Sequence, residues 1–391
     1  MNRKLTVGIL CGGKSAEHEV SLQSARNVYE AMDREKFNPV LIGIEKTGRW
    51  IFNASGYVND DHISNDHVNT NPANNSINRF ILNADDPAAI CLAPQSFSAV
   101  LPPRSGGFLS ITGESGEALV SGKVQLDLIF PILHGPFGED GTVQGLLKLA
   151  EIPFVGPGVL GSAAGMDKDV MKRLLRDGGA PIGQFLVLRD WEPVPSFADI
   201  TAALGNPVFV KPSNMGSSVG VSKVHDEADF RAALREAFVY DTKVILEENI
   251  PGREIECSVL GNEEPQASLP GEVKAGRDFY SYEAKYIDSA GAALEIPAKL
   301  PDDKVKEIQA LAVKTFRILE CQGLSRVDFF MKEDGRVLVN EINTMPGFTR
   351  ISMYPKLWEA SGLTYTALIT RLIELALARF EKEKKLKTSY S

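Results

Sequence analysis

Residues 325–343 constrain this chain more than any other stretch. Alternating apolar positions run up to Asp334-Gly335 and away from it again, and an Asp-Gly pair between two such runs is a strong hairpin signal. A two-residue loop there would set Glu333 opposite Arg336, Asp328 opposite Glu341 and Arg326 opposite Asn343. Strand side chains alternate with a period of two, so these last four residues share one face. Opposed Cβ atoms stand about 4.5–5.5 Å apart, where two carboxylates repel unless a cation joins them. Oxygens of Asp, Glu and Asn at one spot suit a hard divalent ion such as Mg²⁺, with water and phosphate completing its shell. The plainer alternative is a solvated outer face with a charge pair, which a slip of one residue would also permit.

A second feature is the run Lys211-Pro-Ser-Asn-Met-Gly216-Ser217-Ser218-Val-Gly220. A Gly/Ser turn between strands exposes backbone N–H groups, a nest for phosphate oxygens, and Lys211 adds a point charge. An ordinary hairpin turn would look the same. A third feature misleads. Residues 8–15 satisfy G-x-x-x-x-G-K-[ST], the P-loop pattern with Lys14 in the phosphate position. Ile9 and Leu10 nevertheless continue an apolar strand through it, which leaves only Gly12-Gly13 for a turn. The preferred reading is a short turn at a helix N-terminus that carries Glu17 to the carboxyl edge of a sheet, where α/β folds bind ligands. Residues 134–141, His-Gly-Pro-Phe-Gly-Glu-Asp-Gly, form an acidic loop after a buried apolar run. They suit either a binding edge or a plain connection with Glu139 or Asp140 as helix cap.

The chain has 391 residues, enough for two or three domains, since a single core stops growing at about 250–300 residues. Residues 5–11, a following helix with Ala25, Val28, Tyr29 and Met32 on one stripe, and a strand over 38–45 open as βαβ. The first third therefore reads as an open, mostly parallel α/β domain. Residues 53–78 hold eight Asn and read as an irregular surface insertion. A Gly/Pro-rich boundary spans 153–161. A helix follows, with Asp167 near its start and Met171, Leu174 and Leu175 facing inward.

The net charge of −9 argues against nucleic-acid and anionic-membrane partners. No apolar run approaches the roughly 18 residues of a membrane span, and the six-residue stretch after Lys4 is too short for a signal peptide. Four scattered Cys and five scattered His make no soft-metal site, which fits a reducing cytoplasm.

Seven runs, in order, carry a resemblance: residues 12–21, 134–145, 166–168, 211–220, 283–286, 326–328 and 341–347. Together they resemble the ATP-grasp ligases and, within them, the D-alanine–D-alanine ligase family. His18 and Pro136-Phe137 depart from the usual pattern, outside the core chemistry. The implied fold is α/β and α+β: two α+β subdomains clasping ATP, at 157–251 and 252–391. They follow an N-terminal α/β domain at 1–156 with its insertion near 53–115.

The implied activity joins two D-alanine molecules through an acyl phosphate, releasing ADP and phosphate, for peptidoglycan precursors in the cytoplasm. ATP and two Mg²⁺ or Mn²⁺ ions would be required, and a homodimer is implied. By the resemblance, Lys168 and Lys211 hold phosphates beneath Ser217 and Ser218. Glu247, Glu248, Asn249 and Ile250 hold adenine, Glu254 the ribose, and Asp328, Glu341 and Asn343 the metals. Glu17 and His134 would bind the first D-alanine. Arg326 and the Gly347 amide would stabilise the oxyanion, and Ser352 with Arg326 would hold the second carboxylate. Lys285 would contact substrate, and Tyr286 would close a lid through Ser217 and Glu17. A neutral Tyr286 there favours an amine acceptor over the hydroxy acid used by D-alanine–D-lactate ligases.

Overall fold

The computed structural model describes residues 3–52, 81–82, 90–91, 97–115, 118–275, 292–387 and 389. Two compact units emerge. One comprises Met1–Gly156, Gly347–Pro355 and Leu363–Ser391, and the other Pro157–Pro346 and Lys356–Gly362. Residues 363–391 thus group with the first unit rather than with the last segment before them.

The first unit begins β1 (Leu5–Gly12), α1 (His18–Ala31), β2 (Phe37–Ile44) and β3 (Trp50–Phe52). It continues with β4 (Ile81–Leu82), β5 (Ile90–Cys91), β6 (Phe97–Val100), β7 (Phe108–Ser115), β8 (Ala118–Gln125), β9 (Leu128–Ile132) and α2 (Thr142–Leu149). Seven strands align in the order β8-β7-β6-β3-β2-β1-β9. Only the β2-β1-β9 end is parallel: β1 pairs with β2 and with β9 in that sense. From β3 outward every pairing is antiparallel, which corrects the expectation of a mostly parallel sheet. Residues 97–115, counted within the insertion, supply two of those strands. Residues 53–78 lie outside the described residues.

β1 is an unbroken apolar run through Leu10 and Cys11, with Gly8 at mid-strand opposite Val40 and Ile129. A Cβ at Gly8 would come within 2.8 Å of Ile129, so that glycine serves packing and opens no phosphate loop. The P-loop alternative fails on this point. The turn falls at Gly12 and Gly13, both with positive φ, and helix α1 starts only at His18. Its buried stripe contains Leu22, Ala25 and Val28.

The second unit contains α3 (Val159–Met166), α4 (Lys168–Asp177), β10 (Phe185–Arg189), α5 (Phe197–Leu204), β11 (Val208–Pro212) and β12 (Ser222–Val224). Then come α6 (Glu227–Tyr240), β13 (Lys243–Glu248), β14 (Arg253–Gly261), β15 (Gln266–Ala267), β16 (Gly271–Ala275) and β17 (Ala292–Glu295). The helix Asp302–Ile318 is α7, followed by β18 (Gly323–Met331) and β19 (Val337–Asn343). Beyond them run α8 (Met353–Ala360) and α9 (Tyr365–Glu383).

Two sheets form here: β10-β13-β11-β12, and β17-β16-β14-β18-β19 with β15 on β14. The first packs Val208, Val210, Val244 and Leu246 against Phe197 and Phe230 of its helices. The second packs Ile255, Val327, Phe329 and Val339 against Met171, Leu175, Ile308 and Phe316. Leu174, expected inward, is 38% exposed, because α4 turns only Met171 and Leu175 to that core.

The β18–β19 hairpin reaches the expected register by an unexpected route. Its loop is three residues long, since Lys332 N donates to Arg336 O at 2.9 Å, and Gly335 takes positive φ as a three-residue turn demands. Glu333 therefore does not face Arg336. That shifts the pairing by one, to Phe329 with Val339, and a bulge between Asp328 and Phe329 shifts it back. Asp328 then faces Glu341, and Arg326 faces Asn343. Asn340 is the extra residue.

Candidate functional site

A cleft of about 400 Å³ opens in the second unit, walled by both of its sheets and by α4. Its lining brings together Lys168, Lys211, Ser217, Ser218, Glu247, Glu248, Asn249, Ile250, Glu254 and Glu341. The lining also carries Phe209, Ile250, Phe330 and Val339, and Lys211 Nζ lies 5.6 Å from the Phe209 ring centre.

The lysine-bearing wall starts at α4. Asp167 caps that helix by accepting from Val170 N at 3.0 Å, and also takes Lys243 Nζ at 2.6 Å and Ser213 Oγ at 2.9 Å. Lys168 N donates to Ser213 O, and Lys168 Nζ donates to Met215 O at 2.7 Å. The helix start and the root of the 213–218 loop are thereby one hydrogen-bonded piece. In that loop Ser217 and Ser218 have φ of 49° and 60°. Two successive non-glycine residues in the left-handed region store strain of order 1–3 kcal/mol each, a cost that clusters at ligand sites.

Lys172 was not identified from sequence. It sits one helical turn beyond Lys168, on the same face, and that i, i+4 spacing was the available signal. Its Nζ lies 2.7 Å from Glu247 Oε1, while Lys211 Nζ lies 2.5 Å from Glu247 Oε2. Glu247 is buried, and the two ammonium groups hold its carboxyl far below the ordinary carboxylate range against the opposing pull of burial. Burial pulls Lys211 down, but Glu247, Glu341 and Glu254 outweigh it and hold its pKa above the ordinary value. Two lysines thus share one buried carboxylate in the wall of the cleft.

At Glu248 the chain leaves the first sheet, and residues 249–252 cross to β14 of the second. Glu248 Oε1 accepts from Gln184 N at 2.7 Å, which fixes the side chain and frees the crossing backbone to line the wall.

Asp328, Asn343 and Arg326 stand along the β18–β19 hairpin from Glu341 and do not line the cleft. Arg326 grips Asp328 with two bonds of 2.7 Å, and Asn343 Nδ2 donates to Asp328 Oδ2 at 2.9 Å. Lys168 Nζ is 3.8 Å from Glu341 Oε2. Lys168 thus stands by Glu341 and Arg326 by Asp328. Asp328 and the neighbouring acids hold Arg326 well above its ordinary pKa, although burial opposes them. Glu256, also missed in the sequence, sits 2.9 Å from Arg326 Nε. Among the described residues no three His, Cys, Asp or Glu side chains gather as a metal site.

In the first unit, Glu17 and His134 are buried. The Glu17 carboxylate lies against Gly135, where an added Cβ would stand 3.2 Å from Oε2. Glu139 accepts from Gly135 N at 2.8 Å, and Asp140 from Thr142 N at 3.0 Å. Ser352 Oγ accepts from Thr349 N at 3.1 Å and would lie 3.0 Å from a Cβ on Gly347. Lys14 is exposed, its Nζ 5.4 Å from the Phe137 ring centre. Lys285 and Tyr286 lie outside the described residues.

Two family models match the chain: the D-ala D-ala ligase N-terminus over residues 6–157 and the D-ala D-ala ligase C-terminus over 174–374. The chain is 51% identical over 387 residues to D-alanine–D-alanine ligase A of Escherichia coli K12, covering 99% of each. It is 50% identical over 387 residues to the D-alanine–D-alanine ligase of Shouchella clausii, covering 99% of this chain and 98% of that one.

Among solved structures, the D-alanine-D-alanine ligase from Coxiella burnetii matches with a TM-score of 0.78 at 35% identity, over 98% of this chain and 97% of that one. The VanG D-Ala:D-Ser ligase from Enterococcus faecalis matches with a TM-score of 0.76 at 32% identity, over 96% of this chain and all of its own. The fold is the ATP-grasp arrangement of these enzymes. With both halves matched and half of its residues identical to such relatives throughout, the chain belongs to the D-alanine–D-alanine ligase family.

Proposed function

We propose that this enzyme joins two D-alanine molecules into D-alanyl-D-alanine, converting ATP to ADP and phosphate, in cytoplasmic synthesis of peptidoglycan precursors. The supporting observation is the cleft that sets Lys168, Lys211 and the strained Ser217-Ser218 turn beside Glu341. Its volume falls in the range of small-molecule sites, about 300–1,000 Å³, and its lining offers both lysines for phosphates and apolar side chains for a base. The phosphates belong at the lysines and the 216–218 backbone. The base belongs among Phe209, Ile250, Phe330 and Val339, with its polar edge on the backbone of 248–250, and the ribose near Glu254. Glu247 contributes through its two lysines, since both of its oxygens are taken by them.

Asp328, Glu341 and Asn343 offer three hard oxygen-bearing groups on one strand pair, and phosphate oxygens would complete the shell of Mg²⁺ or Mn²⁺ there. Such ions, when bound, neutralise charge on the transferring phosphoryl group. Lys168 and Lys211 add to that neutralisation as the carboxylate of the first D-alanine takes the phosphoryl group. Glu17, with His134, orients this molecule by its ammonium group. The amine of the second D-alanine then displaces phosphate. Arg326 and the Gly347 amide would stabilise the developing oxyanion, and Ser352 and Arg326 would bind the second carboxylate. Tyr286 with Ser217 would close over the substrates, and Lys285 would contact substrate. A homodimer is the proposed assembly.

Glu341→Gln tests this reading. Turnover should fall by at least about 100-fold, the scale of losing one preorganised charge group. Stability without metal should change little or fall slightly, because Glu341 faces Lys168 and supports Lys211 and Arg326. A wild-type rate at saturating Mg²⁺ would show that the face is merely solvated.

A further inference from the structure

The second sheet carries a transverse row of acids that the proposed chemistry does not fully use. Glu256 of β14 pairs directly with Asp328 of β18, which pairs directly with Glu341 of β19. Opposed residues share a face, so three carboxylates stand side by side. Two cations answer them. Lys168 approaches Glu341. Arg326, two residues along β18, spans the other two: both oxygens of Asp328 at 2.7 Å and Glu256 Oε2 at 2.9 Å. The side chains of Glu256 and Arg326 are only 14% and 18% exposed, so water screens this pairing little.

Two demands on Arg326 conflict if Asp328 holds a divalent ion, as proposed above. The ion and the guanidinium compete for the same carboxylate oxygens. The guanidinium must also stay in place to face the developing oxyanion. A guanidinium that lost its only anion on metal entry would be a largely buried, uncompensated charge. Glu256 removes the conflict, because its carboxylate stays 2.9 Å from Nε as an ion-pair partner when Asp328 turns to the metal.

We propose that Glu256 is a positioning residue: it keeps Arg326 anchored on the sheet while Asp328 exchanges the guanidinium for a metal ion. The inference rests on the reading of Asp328 as a metal ligand. Glu256 touches no substrate in this account and acts wholly through Arg326.

The test titrates the full-length enzyme, saturated with ADP, with Mn²⁺ and follows the free ion by electron paramagnetic resonance. Glu256→Gln leaves Arg326 with Asp328 alone, so the ion must displace a tighter partner. Its dissociation constant should rise by about tenfold, the scale of coupling between contacting charged residues. In an Arg326→Gln background the same change should move it by less than about twofold, since the residue through which Glu256 acts is gone. Turnover of Glu256→Gln should drop with KM for ATP unchanged, because the cleft lining is untouched.

Equal losses in both backgrounds would show Glu256 acting by its own charge and would overturn the proposal. So would wild-type Mn²⁺ binding in Glu256→Gln. Asp328→Asn separates the two levels: wild-type Mn²⁺ binding there would overturn the metal assignment itself. Should Glu256→Gln fail to fold, Glu256→Asp reads the same coupling with a smaller loss.

Discussion

Glu247 is the residue on which the lysine cluster of the cleft depends. It is 7% exposed, yet ionised, because Lys172 and Lys211 each sit on one of its oxygens. Removing one partner of a buried ion pair costs about 3–5 kcal/mol, since the remaining charge is left uncompensated. Glu247→Gln should therefore lose about that much stability in urea denaturation.

The pH dependence has a definite sign. The carboxyl is held below its ordinary value of 4.5, so its contribution is complete above 4.5 and fades only as pH falls through the lower folded value. Lys211 is held above its ordinary 10.5, so its share is complete below 10.5 and is lost as pH rises through the higher folded value. The gap between wild type and Glu247→Gln should be level between those ordinary values and narrow in acid. A gap that widened below pH 4.5 would contradict the assignment. For turnover, Lys211→Ala should damage use of ATP by orders of magnitude, while Lys14→Ala leaves it within about twofold, as surface changes usually do. The reverse ranking would restore the P-loop.

Among the elements, the β18–β19 hairpin shows how a sequence can place a site correctly through two compensating departures. Alternation and Asp334-Gly335 located the strands and the turn. They did not distinguish a two-residue loop from a three-residue one, nor reveal that Asn340 is extra. The bulge leaves Asn340 and Glu341 both partly exposed, a pattern of two successive polar residues that reads as ordinary alternation slipping by one. The crossing between β13 and β14 was legible only as a Pro-Gly turn. Nothing local says that the strands on either side belong to different sheets.

That crossing has no room to spare. A Cβ on Gly252 would stand 2.4 Å from the backbone oxygen of Met331, which cannot rotate away. Gly252→Ala should cost about 1–3 kcal/mol as an overpacked substitution. It should also raise KM for ATP, because residues 249–252 line the cleft. Thermal melting and steady-state kinetics on one preparation check both. A variant with unchanged KM would detach the crossing from nucleotide binding.

Over the whole molecule, what was legible was whatever neighbours in sequence could state: the strand through Leu10, the capped start of α4 and the motif runs that carry the family. What was hidden depends on partners far along the chain. Lys172 matters because Glu247 comes to it across 75 residues of sequence, and Glu256 because Arg326 lies on the next strand. The antiparallel flank of the first sheet was hidden for the same reason, since strands of three to eight residues become a sheet only through pairing.

The account of the whole enzyme stands on its products. Incubated with ATP, Mg²⁺ and D-alanine and analysed by mass spectrometry, it should yield ADP, phosphate and D-alanyl-D-alanine in equal amounts, with no ADP when D-alanine is withheld. AMP and pyrophosphate, or ATP breakdown indifferent to D-alanine, would contradict it.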